Sequence, residues 1–438
     1  MKPIKIIGGG LAGCEAAYQL LKRGFEVEMY EMKPVKFSPA HKNPNLCELV
    51  CSNSLKSDDP ATAGGILKNE LRLLDSLVIK CADSTRVPAG NALAVNRDDF
   101  SALVTKTLKG LKGFHLIEEE VTDIDTSSPT IIATGPLTSE GLSDTIKNLI
   151  GEDYLYFFDA IAPIVNYDTI DFNIAFEADR YGKGTSDYIN LPFEKDEYLL
   201  FQKELVNGEI VKLRDFENHK VFEGCMPIEV LAKRGVDTMR FGPLKPVGII
   251  DPHTGKRPYA VVQLRRETVH NDYYNMVGFQ TNLTYPEQKR IFSLIPGLKN
   301  AEFLRYGTMH RNTYINSPLS IDNYQMKKYP NVFIAGQLSG VEGYIESISS
   351  GLVCGINMAR MMSGQDPIKW DIHTMIGALS HYISNANPSS FQPMSSNMGL
   401  INLGEYSDIR DKKQKNLMLY DLSKKCILED INKNKLDI

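Results

Sequence analysis

The sequence predicts an α/β fold, a Rossmann-like nucleotide-binding domain of the glutathione-reductase type interrupted by an inserted α+β domain. Three observations predict it. A short apolar strand, a glycine turn, a helix and a second strand follow one another within the first 31 residues, which is a βαβ unit. A further apolar strand closing on a glycine stands at 131–135 (IIATG). The same pattern returns at 331–336 (NVFIAG), followed by a long apolar helix over 344–362, after a stretch of different texture. A nucleotide-binding domain made of residues 1–155 and 326–438, with a second domain inserted at 156–325, explains that return better than two domains in tandem.

Taken in order, residues 3–7 (PIKII) read as the first strand. Residues 11–23 read as a helix, with Leu11, Ala12, Ala16 and Leu20 closely spaced and Gly24 ending it. Residues 25–31 (FEVEMYE) alternate apolar and polar side chains, as a strand with two different faces should. The stretch 38–65, rich in Ser, Asn, Pro and Gly, reads as a long irregular loop. Between about 156 and 325, strand-like segments such as YAVVQLRRE and NMVGFQTNL mix with short helices.

Composition bounds the rest. With 438 residues, 42% of them hydrophobic, the chain can bury two sizeable cores. No apolar run approaches the roughly 18–20 residues that span a bilayer. The opening MKPIKIIGGG breaks into glycines before a secretory apolar segment can form. Seven scattered cysteines, an odd number, predict reduced thiols and a cytoplasmic location. There is no CxxC pair, and Cys47 and Cys51 have no matching partner pair, so no metal site is expected. The net charge of −5 does not advertise nucleic-acid binding, although one basic face would suffice for it. Two local clusters, Lys33/Lys36/His41/Lys42 and Arg410/Lys412/Lys413/Lys415, read as solvated surface.

The chemistry begins at Gly8-x-Gly10-x-x-Gly13, which also contains Gly9, Leu11 and Ala12. The first glycine of such a turn permits the tight bend, the second lets backbone approach a pyrophosphate, and the third lets helix and strand pack closely. Glu31, 18 residues beyond Gly13, stands where an acid hydrogen-bonds the adenosine ribose. FAD is expected rather than NAD because IIATG at 131–135 and NVFIAGQLSGVEGYIES at 331–347 look like the later cofactor-contact segments of glutathione-reductase-type flavoproteins. A helix starting near Glu342–Gly343 would set its positive end beside the anionic reduced ring. Gly336, Gly343, Tyr344 and Arg97 (in NALAVNRDDF) are the further candidates near the flavin.

Seven segments then resemble one family in order along nearly the whole chain. They are GGGLAGCEAA, CSNSLKS at 51–57, ATGPLTS at 133–139, FEGCMPIEVLAKRG at 222–235, RFGPLKPVG at 240–248, RYGTMHRNTYINSP at 305–318 and AGQLSGVEGYIES at 335–347. The family is the bacterial folate- and FAD-dependent tRNA (uracil-5-)-methyltransferases. The resemblance implies methylation of uridine 54 in the T-loop of tRNA. The carbon would come from methylenetetrahydrofolate and the reducing equivalents from the flavin, itself re-reduced by NADPH or NADH. It also explains a need for thiols. Uracil C5 is a poor nucleophile until a thiolate adds at C6 and generates an enolate. By motif position Cys225 matches the nucleophile. Cys51 matches a second essential thiol, handling the proton or the methylene carrier. His310 and Arg311 fall in the segment that resembles the folate site, where an imidazole stacks on the pterin and an arginine suits a glutamate carboxylate. Cys14, Cys81, Cys354 and Cys426 read as structural.

One departure bears on the RNA. Residues 397–403 read NMGLINL where the family writes NFGLLPPL, and the Lys- and Asn-rich tail diverges. A close relative methylates a uridine of large-subunit ribosomal RNA, so that substrate is the alternative to tRNA. Readings of other classes are a plain NAD(P)H–flavin oxidoreductase and an RNA-binding protein that keeps flavin only as structure.

Overall fold

The computed structural model describes residues 2–151, 155–182, 187–211, 226–267, 273–401, 409 and 411–437; for 155–161 and 308–311 it describes the backbone alone. Ile4–Ile7 belongs to a seven-stranded sheet. Five of its strands run parallel, in the spatial order Phe114–Ile117, Val27–Tyr30, Ile4–Ile7, Thr130–Ile132, Val332–Ile334. An antiparallel pair, Ile321–Asp322 and Gln325–Met326, finishes the edge beside the last of these. The predicted α/β class is what the chain adopts. The late strand Val332–Ile334 pairs with Thr130–Ile132 in the same sheet as the N-terminal unit.

Parallel strands covered on both faces read as apolar runs, and Ile4, Ile6, Val27, Met29, Ile131, Ile132, Phe333 and Ile334 are buried accordingly. Two helices close one face, Leu11–Lys22 and Tyr344–Met362. Their crossing is tight for a stated reason. A Cβ on Gly351 would stand 2.2 Å from the Ala12 carbonyl oxygen, and one on Gly355 would stand 2.8 Å from that of Ala16. Glycines four apart on one helix meet alanines four apart on the other, and the late helix is thereby fixed against the glycine turn.

A six-stranded antiparallel sheet is built from Phe176–Glu177, Tyr188–Phe193, Ala260–Arg266, Tyr273–Met276, Ile164–Asn166 and Phe303–Arg305. It has its own core, including Leu191, Phe193, Phe201, Val262, Phe279 and Phe292. The core under the parallel sheet draws on both ends of the chain, from Ile4 to Ile146 and from Tyr314 to Ile427. Among the described residues no helix is long and apolar enough to cross a membrane.

The expected long loop over 38–65 is more ordered than its composition suggests. Ser54–Ser57 forms a strand against Ala92–Val95, and the helix Ala63–Leu73 starts within the stretch. The cause is a lysine. Lys68 is fully buried, and its Nζ donates to the carbonyl oxygens of Leu55 (2.9 Å) and Ser57 (2.6 Å). Burial pulls its ammonium down to about 8. Thr62 accepts from the Gly65 amide (3.1 Å) and caps the helix.

Candidate active site

In a parallel sheet of this order, the crossovers leave the strands Ile4–Ile7 and Thr130–Ile132 in opposite directions, and a crevice opens beyond their carboxyl ends. Here that crevice is a cleft open to solvent. Gly8 to Ala12, Tyr30, Glu31, Ala133 to Ser139, Gly336 and Tyr344 are among its walls.

The three glycines divide the work. Gly8 has φ +105°, and a Cβ on it would meet the Ala133 carbonyl oxygen at 2.5 Å. A Cβ on Gly13 would stand 1.9 Å from the Gly8 carbonyl oxygen, so that position serves packing. A Cβ on Gly10 would meet nothing within 4 Å. The open position is the one where a pyrophosphate must approach the backbone. No side chain caps the helix that starts at Leu11, so its first N–H groups are left for an anion. Glu31 Oε2 accepts from the Gly9 amide (2.8 Å) and Oε1 from the Lys33 amide (3.0 Å). A carboxylate has about four acceptor sites, so Glu31 is oriented yet keeps capacity for ribose hydroxyls. Glycine turn, uncapped helix and oriented acid together fit the adenosine and pyrophosphate half of a dinucleotide.

At the other end stands the helix Tyr344–Met362, with Gly343 at its start and no capping side chain. The Tyr344 hydroxyl oxygen accepts from the backbone amides of Cys51 (2.7 Å) and Ser52 (3.1 Å). One side chain therefore ties the thiol loop to the wall of the cleft. Burial holds its phenol well above the ordinary range. Two residues on, Glu346 is fully buried. Its Oε1 receives Lys56 Nζ (2.5 Å) and the Ser396 amide (2.8 Å).

Cys51 is a half-buried thiol, unlike Cys14, Cys47, Cys81, Cys354 and Cys426, which are buried. Burial pushes the Cys81 and Cys426 thiols up to about 11 and raises those of Cys47 and Cys354 as well. Arginines from three distant segments surround the Cys51 loop. Arg97 grips Glu267 through two hydrogen bonds (2.8 and 3.0 Å) and donates a third to the Leu49 carbonyl oxygen (3.1 Å). Burial opposes the charge on Arg97, and Glu267 outweighs it, so the guanidinium is held above its ordinary value. Arg265 donates from Nε to Asn53 Oδ1 (3.1 Å). Asn53 in turn donates to the carbonyl oxygens of Val95 (3.2 Å) and Arg266 (2.8 Å), which clamps residues 51–54 onto the antiparallel sheet. Arg305 completes the set, with electrostatic interactions to Cys51, Tyr344 and Arg97.

Of the residues expected at the site, Gly8, Gly9, Gly10, Leu11, Ala12, Glu31, Gly336 and Tyr344 line the cleft. Gly13 packs beneath it, and Gly343 precedes the late helix. Arg97 does not line it; its guanidinium is taken up by Glu267 behind the Cys51 loop. Cys225 lies outside the described residues, as does Arg410. For His310 and Arg311 the backbone alone is described. They lie in the strand Thr308–Tyr314, opposite Asp159 and Phe158, and this strand packs against the turn Gly135–Leu137 in the cleft wall. Lys33, expected on a solvated surface, is 4% exposed, with Nζ donating to the Asn43 (3.0 Å) and Asn45 (2.6 Å) carbonyl oxygens. Asn53, Arg265, Glu267 and Arg305 escaped the sequence reading. The signal available was the charged RRE that ends the otherwise apolar YAVVQLRRE.

Known proteins bear on this geometry in three ways. A family described as glucose inhibited division protein A matches residues 3–366. A methylenetetrahydrofolate--tRNA-(uracil-5-)-methyltransferase of Acetivibrio thermocellus is 55% identical over 431 residues, covering 98% of this chain and 99% of its own. A protein of the same name from Thermosipho africanus is 51% identical over 97% of both chains. Among solved structures, Aquifex aeolicus GidA superposes with a TM-score of 0.67 at 18% identity, over 99% of this chain and 75% of that one. The last likeness speaks for the fold alone.

Proposed function

The chain belongs to the family of methylenetetrahydrofolate--tRNA-(uracil-5-)-methyltransferases, and from that premise we propose that it methylates C5 of uridine 54 in the T-loop of tRNA. The coarser activity, folate-dependent methylation of a tRNA uracil, follows from the family itself. The carbon donor is methylenetetrahydrofolate, and FAD, when bound, supplies the reducing equivalents. NADPH or NADH restores them.

The observation that carries this reading is the bond between Tyr344 and the Cys51 loop, which sets a half-buried thiol at the far end of a dinucleotide cleft. In the proposal, the Gly8–Gly13 turn and Glu31 hold the adenosine half of FAD. Gly336 and the helix start at Gly343–Tyr344 hold the other half. Cys225 adds to C6 of the uracil and leaves after C5 has taken the carbon. Cys51 removes the C5 proton or handles the methylene carrier. His310 and Arg311 receive the pterin and the glutamate tail.

Purified protein with methylenetetrahydrofolate, NADPH and a T-arm transcript is expected to yield 5-methyluridine. Product from a ribosomal RNA fragment and none from tRNA would transfer the reading to the ribosomal relative, the substrate that the divergence at 397–403 leaves open. A covalent adduct with 5-fluorouridine RNA, lost in Cys225→Ala, excludes a plain flavin oxidoreductase. RNA affinity indifferent to either thiol, with no turnover, would instead favour a binding protein.

A further inference from the structure

Aromatic rings run in an unbroken series from the core of the antiparallel sheet to the surface. Phe279 and Phe292 are fully buried and meet edge to face, with centroids 5.5 Å apart. Phe292 leads on to Phe303 (6.2 Å). From there the rings lie nearly parallel, Phe303 with Tyr306 at 5.7 Å and 20°, and Tyr306 with Tyr285 at 5.3 Å and 23°. These are separations at which aromatic pairs attract. The series ends in Tyr285, which is 54% exposed. A stack that stops at the surface offers its last ring to one more.

That last ring is held in place. Tyr285 opens the helix Tyr285–Phe292. Within it the buried Gln288 donates from Nε2 to the Gly307 carbonyl oxygen (2.9 Å) and accepts from the Gly307 amide (2.7 Å). Gly307 follows Tyr306 and precedes the strand Thr308–Tyr314, which packs against the turn Gly135–Leu137 in the cleft wall. A ring fixed in this way has little freedom to lose when a ligand covers it. Charge then selects the ligand. The one acid of the helix, Glu287, has both carboxylate oxygens engaged by Arg290 (2.7 and 2.8 Å). Lys289 stands one turn beyond Tyr285, hence on the same face of the helix. It is exposed and has no ion-pair partner among the described residues. An open aromatic face beside an uncompensated cation suits a base and its phosphate, whereas an apolar protein surface would leave the ammonium unanswered.

We propose that Tyr285 is a platform on which an unpaired base of the RNA substrate stacks, with Lys289 meeting a phosphate beside it. The inference rests on the reading above for the class of substrate and adds the place where the RNA is gripped. The rings behind Tyr285 anchor that grip in the core of the antiparallel sheet, and Gly307 links it to the wall of the cleft.

The test is RNA binding by the FAD-bound protein, with a T-arm transcript as probe. Tyr285→Ala should raise the Kd at least about fivefold, the lower end of what one base stacked on an aromatic ring contributes. Tyr285→Phe should bind like the parent, since the face of the ring and not its hydroxyl carries the contact. Lys289→Gln should weaken binding and lower the slope of log affinity against log salt by about 0.7–0.9, the loss of one phosphate contact. Tyr285→Trp supplies a direct reporter, because the chain's single tryptophan, Trp370, is buried. Its added fluorescence should be quenched by the T-arm hairpin and not by a fully paired RNA duplex of equal length. In turnover, Tyr285→Ala should raise the KM for RNA and leave kcat at saturation unchanged, the mark of a binding contact outside the chemistry. Parent-like affinity in Tyr285→Ala, equal losses in Tyr285→Phe and Tyr285→Ala, or equal quenching by the duplex overturns the inference. So does a change of oligomeric state in Tyr285→Ala with RNA affinity intact, which would make this face a protein contact. Undisturbed RNA binding by Tyr285→Ala in an enzyme that still methylates sinks this inference alone. Quenching by the hairpin in a protein that never methylates sinks the functional reading alone.

Discussion

At the glycine-turn end the cleft is made of backbone; at the Cys51 end it is made of side chains. Gly8, Gly10 and Gly13 act through what they lack, and Glu31 is oriented by two main-chain amides. Everything needed there sits within 31 consecutive residues. The thiol end joins Leu49–Asn53 to Arg97, Arg265, Glu267 and Tyr344, across sequence separations of up to 293 residues. The contrast teaches that binding the cofactor is a local property of this chain, whereas placing the thiol beside it is a property of the whole fold.

Four substitutions test that contrast. The largest effect is expected from Arg97→Ala, which strands the Glu267 carboxylate at 5% exposure. Removing one partner of a buried pair costs about 3–5 kcal/mol, to be read from urea denaturation. A loss below about 1 kcal/mol, the range of exposed pairs, would mean the thiol end is not held from the antiparallel sheet.

Next comes a matched pair within the glycine turn. Gly13→Ala forces a methyl group against the Gly8 carbonyl and should cost about 3 kcal/mol, the upper part of the usual overpacking range. Gly10→Ala meets no protein atom, so its stability should stay within about 0.5 kcal/mol of the parent, while flavin retained per chain falls sharply. Identical behaviour of the two would erase the division between packing and cofactor approach. Tyr344→Phe comes last, with a smaller cost than Arg97→Ala or Gly13→Ala. It strips the acceptor from the Cys51 and Ser52 amides at a cost of about 1–2 kcal/mol. Flavin content should hold while methylation drops, and a variant with undiminished methylation would show that the tether does not position the thiol.

How much of this was legible follows the same division. The βαβ unit, the glycine turn and Glu31 could be read because their spacing is short and each residue type has one physical use there. The return to the parallel sheet at Val332–Ile334 could be read because a buried parallel strand is apolar throughout. The order in 38–65 could not, since it depends on Lys68 burying its ammonium among main-chain carbonyls, the reverse of a lysine's usual preference. Lys33 deceived in the same way. Arg265 and Arg305 were invisible as a pair because nothing in the local pattern says that two strands deliver their guanidinium groups to one loop.

The arrangement of charge at Cys51 has a consequence for encounters at long range. The chain carries a net −5, so a polyanion meets repulsion over much of its surface. Around Cys51 the balance inverts, with three guanidinium groups against one carboxylate. A cleft focuses such a field outward. An RNA approaching this molecule is expected to be drawn toward that end of it. Added salt shortens the range of that steering to within about 10 Å at 0.1 M, so association should slow with ionic strength while the chemistry at Cys51 does not.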